Sequence, residues 1–134
     1  MSTPEQGFWK RVRSEWKGHA ARIEASIGGC DPGTPDSILS INGRGGYVET
    51  KVWPQELEPS QLPWHMDAMR RGAYAVVLCE LPDGKVWLGT AEDYAEFFGA
   101  NRGRTFPYRR PDGVSLQSAL NVVACALTGT KGRR

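Results

Sequence analysis

The run AYAVVLCEL, residues 73–81, leaves this chain the fewest choices of fold. Its apolar residues fall on both strand parities, so neither face suits water and the strand belongs inside a sheet covered on both sides. The cover has to be helical, and the chain supplies helices. Phe8, Trp9, Val12 and Trp16 recur at three- and four-residue spacing over residues 4 to about 17, with Ser2 or Thr3 placed to cap and Gly18 to terminate. Ser60 stands where it can cap a second helix over residues 61–71, ended by Gly72, and residues 91–98 read as a short third. Leu116, Leu120, Val123 and Leu127 place a last helix over residues 115–127.

Between the helices lie β-prone segments at residues 21–27, 37–41, 47–53 and 85–89, besides the apolar run itself. The stretch NGRGG, residues 42–46, is a hairpin turn signal between two of them, and PDG, residues 82–84, is another turn. The expected fold is therefore α/β, a mixed central β-sheet flanked by helices. A chain of 134 residues suits one compact domain. Residues 1–99 are expected to form its core, with a basic loop and C-terminal helix over residues 100–134 packed on the same domain.

Three widely spaced cysteines match neither a disulfide framework nor a CxxC zinc site and read as reduced thiols. There is no apolar run of membrane-spanning length and no apolar secretory segment at the N-terminus, so no membrane association and a cytoplasmic location are expected. The charge is uneven. Residues 1–100 carry 10 basic against 14 acidic residues, whereas residues 101–134 carry 7 against 1. The C-terminal third is thus a candidate phosphate-facing surface, although its last four residues, KGRR, equally suit a solvated tail. In RGRTFPYRR, Arg102, Arg104, Arg109 and Arg110 interleave with Phe106 and Tyr108, a composition able to neutralise phosphates and stack on bases. The first helix is also basic away from its apolar stripe, at Lys10, Arg11, Arg13 and Lys17.

Charged residues stand where the second and third strands should be apolar. Residues two apart on a strand share a face, so Glu49 and Lys51 point the same way, and Asp36 begins the preceding strand across the hairpin. Two close carboxylates repel, and burial worsens the repulsion unless a hard cation neutralises them. A metal-bound water loses its proton more readily, and a nearby lysine can orient it or stabilise charge on a phosphate. Taken alone, the same residues also suit a turn-capping Asp36 and an exposed Glu49/Lys51 pair on an edge strand.

Resemblance adds to that reading. GTPDSIL, the thirteen-residue step to the glutamate, and YVETKV resemble the core of the PD-(D/E)xK nuclease superfamily, as Pro35-Asp36 and Glu49-Thr50-Lys51. Within it the chain is similar to the VRR-NUC and Holliday-junction-resolvase-like group, particularly small phage-type members, with Gln61 and AYAVVL following in the expected order. The resemblance spans roughly residues 5 to 90. It implies a restriction-endonuclease-like core and a metal-dependent endodeoxyribonuclease acting on branched or structured DNA, in phage-infected or bacterial cytoplasm. It also implies Mg²⁺ or Mn²⁺ held by Asp36 and Glu49, with the Thr50 carbonyl as a further ligand.

By the same resemblance Lys51 positions the attacking water, Gln61 lines the site, and an acid from the first helix completes it. Glu5 is the better match for that acid, with Glu24, in RIE, and Glu15 as further candidates. A homodimer is implied, since a four-way junction offers two symmetric cleavage points. His65 shares a helix face with Gln61, a position equally suited to packing. A catalytically silent nucleic-acid-binding module and a phage interaction or inhibitor protein are the competing readings.

Overall fold

The computed structural model describes residues 3–22, 34–96 and 112–128. Helix α1 (Pro4–Trp16) opens on a capping box. The Thr3 hydroxyl accepts from the Gln6 N–H at 3.1 Å while the Gln6 side chain accepts from the Thr3 N–H at 3.0 Å. It ends at Lys17 and Gly18, both with positive φ, and the Lys17 N–H returns to the Arg13 carbonyl. The strands are β1 (Ala20–Arg22), β2 (Ser37–Ile41), β3 (Arg44–Val52), β4 (Ala75–Glu80) and β5 (Val86–Gly89). Helix α2 (Gln61–Arg70) connects β3 to β4, α3 (Ala91–Tyr94) follows β5, and α4 (Leu116–Thr128) comes last.

The sheet order is β1-β2-β3-β4-β5, antiparallel except for the parallel β3/β4 pair that the α2 crossover permits. The expected mixed sheet flanked by helices is present. As the unbroken apolar pattern requires, β4 is buried on both faces. Val76 and Leu78 join Phe8, Trp9, Val12 and Trp16 of α1 and the apolar stripe of α4, while Val77 and Cys79 join Ala91 and Tyr94 of α3 on the other side. The Trp16 indole N–H donates to the Leu116 carbonyl at 3.3 Å, fastening α1 to the start of α4.

Two local expectations change. The turn occupies Asn42 and Gly43 alone, with φ of 53° and 79°, and Arg44 to Gly46 lie in β3. Two consecutive left-handed residues make the tight turn whose twist suits a hairpin, so five residues are not needed. The resulting register pairs Ser37 with Val48 and Ile38 with Tyr47. Ile38 therefore points to the face opposite Val48 and is half-buried. At α2, Ser60 makes no side-chain cap. The loop end is instead held by Gln61, whose Oε1 accepts from the Glu58 N–H at 2.7 Å. Among the described residues no helix is long and apolar enough to cross a membrane.

Candidate active site

Because the β2–β3 ladder begins at Ser37 and Val48, the residue before the strand, Asp36, stands across from Glu49. Its N–H donates to Glu49 Oε1 at 3.2 Å. Beyond that point β3 has no β2 partner, and the Asp36 carboxylate takes the empty place. It accepts from the Thr50 N–H at 3.2 Å, the Thr50 hydroxyl at 2.6 Å and the Ser37 hydroxyl at 2.8 Å. The N–H and C=O of a strand residue point to the same edge, so the Thr50 carbonyl also faces the side that β2 leaves open.

Glu49 and Lys51 lie on the α2 face of β3, and both are buried, at 5% and 4% exposure. This removes the reading of an exposed pair on an edge strand. The Lys51 ammonium is 3.7 Å from Glu49 Oε2, and the Gln61 side-chain amide donates to the same oxygen at 2.9 Å. One Gln61 amide therefore binds loop and carboxylate together, its oxygen on Glu58 and its nitrogen on Glu49. Asp36, Glu49, Thr50, Lys51 and Gln61 are brought to one place.

The N-terminal acids are arranged otherwise. The Glu5 carboxylate accepts from Gln55 Nε2 at 2.8 Å, just past the end of β3. Gln55 is a latch that sequence reading missed, since a glutamine in a loop carries no periodic signal. Its Oε1 accepts from the Val52 N–H at 2.7 Å, and its carbonyl accepts from the Tyr94 hydroxyl. Glu15 is exposed near the end of α1. Among the described residues no three His, Cys, Asp or Glu side chains come together as a metal-binding group. Glu24 and the arginines Arg102, Arg104, Arg109 and Arg110 lie outside the described residues.

Electrostatics mark the carboxylate pair. Burial, and then the charge of Asp36, pushes the Glu49 carboxyl up to about 8, against the opposing pull of Lys51 and the two hydrogen bonds it accepts. A bound cation would reverse that balance. Among the described residues the donors are hard oxygens, with neither thiolate nor imidazole joined to the pair, which fits Mg²⁺ or Mn²⁺.

His65, on the same side of α2 as Gln61, is fully buried. Neither ring nitrogen has a partner among the described residues. Burial, then the Lys51 charge, lowers it to about 4, so it stays neutral at ordinary pH. Cys79 is no nucleophile at neutral pH, because burial pushes its thiol up to about 11.

No family model matches the chain, and no curated protein matches it. Among solved structures it is similar to Hjc of Archaeoglobus fulgidus, a Holliday junction resolvase from an archaeal hyperthermophile, at 19% identity and a TM-score of 0.49. That match covers 67% of this chain and 75% of the other.

Proposed function

We propose that this protein is a metal-dependent endodeoxyribonuclease that hydrolyses phosphodiester bonds, with Asp36, Glu49 and Lys51 at its centre. The observation that carries this reading is the buried Glu49 carboxyl, pushed up by burial and by Asp36, with the Lys51 ammonium beside it. Paired acids of this kind cost stability when both are charged, and a cation offsets that cost. The finer assignment to a VRR-NUC or resolvase-like enzyme of phage type, acting on branched DNA as a homodimer, rests on the resemblance of GTPDSIL, YVETKV, Gln61 and AYAVVL.

Asp36 and Glu49, with the Thr50 carbonyl, would hold Mg²⁺ or Mn²⁺. When bound, such a cation acidifies a coordinated water and neutralises charge on the phosphate. The chain's own residues arrange the remainder. Gln61 fixes the Glu49 carboxylate so that its Oε1 side turns to Asp36. Lys51 presents an ammonium to the oxygens of the phosphorus under attack, where negative charge accumulates as water adds in line and the opposite P–O bond breaks. The water's oxygen ends on phosphorus and a proton ends on the leaving oxygen. Glu5, tied to Gln55, and Glu24 are the acids from which a third site carboxylate would come.

Cleavage of labelled four-way junction, flap, single-stranded and linear duplex DNA, with Mg²⁺, Mn²⁺ or EDTA, tests the proposal. Metal-dependent cutting that disappears in Glu49→Gln and Lys51→Ala is the expected result. Undiminished cutting by both variants would overturn the assignment. A metal-loaded, folded protein that binds DNA without cutting it would favour the silent binding module, a reading consistent with the three donors already on the Asp36 carboxylate.

A further inference from the structure

Four cations of the described chain are held in ion pairs. Arg11 sits on Glu80, Arg70 and Arg71 on Asp67, and Lys51 on Glu49. Lys10, Arg13 and Lys17 have no ion-pair partner among the described residues. All three are exposed; at roughly 100° per residue Lys10 and Arg13 share one flank of α1 with Gln6, Lys17 follows at the left-handed C-cap, and Arg11 occupies the other flank.

The direction of that flank follows from Arg11, which reaches across to Glu80 at the end of β4 and to the Gly84 carbonyl in the β4–β5 turn. The cationic flank therefore faces the other side of the sheet, where β1 and β2 lie and where Asp36 enters. A cavity of about 260 Å³ lies on it, bounded among the described residues by Gln6, Trp9, Lys10 and Arg13. Its upstream end lies toward the exit of β3, where Glu5, the residue before Gln6, is bonded to Gln55, four residues beyond Lys51. Lys10 and Arg13, about one turn apart, are separated by roughly 5 Å along the helix, and Lys17 extends the cationic row past its end.

We propose that Lys10, Arg13 and Lys17 form a track that binds the phosphate backbone of DNA leading away from the Asp36–Glu49 centre. This inference rests on the reading of the protein as one that acts on DNA. The track is sequence-independent, since ammonium and guanidinium groups on phosphates carry no base information. It makes α1 a surface that positions the duplex arm beside the scissile bond.

The test is equilibrium binding of labelled duplex and four-way junction in EDTA, where no cleavage occurs, as salt is varied. Replacing Lys10, Arg13 and Lys17 together by Ala should lower the dependence of log K on log salt by roughly two to three units, about 0.9 per lost phosphate contact. Single substitutions should each lower it by about one unit. The pair Lys10→Arg and Arg13→Lys should keep the wild-type slope, as should Lys85→Ala in the β4–β5 turn. Thermal midpoints measured alongside separate lost contacts from lost fold, and the single variants carry the test if the triple variant is unstable. A wild-type slope in the folded triple and single variants overturns the track and leaves the nuclease reading standing. Wild-type protein that shows no salt-dependent DNA binding overturns the reading beneath it as well.

Discussion

Gln61 Nε2 donates to Glu49 Oε2 at 2.9 Å, joining the first residue of α2 to the middle of β3. This bond sets which way the buried carboxylate faces. Gln61→Ala should leave one carboxylate oxygen short of a donor in a buried place, a loss of about 1–3 kcal/mol in stability. Mn²⁺ affinity and cleavage should both fall, on the order of 10- to 100-fold, as they do when a residue orienting a metal ligand is removed. Calorimetric titration of Mn²⁺ checks the first effect and single-turnover cleavage the second. Unchanged metal affinity would show that the bond only holds the loop.

Glu49 gives the metal-free protein a pH dependence of definite sign. Its carboxyl rises from 4.5 to about 8 on folding, so the folded state binds more protons across that interval. The stability this group contributes is present below pH 4.5 and is lost as pH rises through 8. Glu49→Gln keeps the shape and removes the charge, so in EDTA at pH 8 to 9 the variant should be more stable than the wild type. With Mg²⁺ or Mn²⁺ the ranking should reverse, because wild type gains stability from the cation and the variant does not. Denaturant titrations at several pH values, with and without metal, read both halves.

His65 acts in the opposite sense. Its imidazole falls from 6.5 to about 4 on folding, so the unfolded state binds more protons between those values. Stability from this group is complete above pH 6.5 and lost as pH drops through 4, by an amount on the order of 3 kcal/mol. His65→Leu removes the buried ring whose two nitrogens lack partners among the described residues and should be neutral or stabilising at pH 7, with a flatter acid limb. An acid limb that keeps its wild-type slope in the variant would assign the effect to other groups.

The architecture was legible because it follows from periodicity. The two-sided apolar pattern of β4 demanded helices on both faces, and the spacing of Phe8, Trp9, Val12 and Trp16 supplied one of them. The site was legible as a set of residue types and less so as a geometry. A five-residue turn over residues 42–46 would oppose Ile41 to Tyr47 and carry Asp36 toward Val52. The two-residue turn pairs Ile41 with Arg44 and sets Asp36 against Glu49. The difference is an odd number of residues, which reverses the face each side chain takes, and only backbone twist at Asn42 and Gly43 decides it. Contacts between distant segments, such as Gln55 with Glu5, leave no local pattern at all.

Packing against β3 makes two neighbouring glycines unequal. A Cβ built at Gly46 would meet Tyr74 Cδ2 at 2.7 Å and Leu127 Cδ2 at 3.2 Å, where the strand passes beneath α4 and the residue preceding β4. At Gly45 the nearest atom is Ile38 Cδ1 at 3.5 Å, an ordinary contact. Gly46 is buried and its pairing with Leu39 is fixed by the hairpin, so the strand cannot slide to relieve the clash. Gly46→Ala should therefore displace Tyr74, whose carbonyl accepts the Tyr47 N–H at 2.9 Å, and cost about 1–3 kcal/mol. Gly45→Ala should change stability by less than about 0.5 kcal/mol, as most surface substitutions do. Urea titrations of the two variants give the comparison directly. Equal losses would mean that Tyr74 yields easily, and that the approach of β3 to α4 is looser than the packing of Gly46 implies.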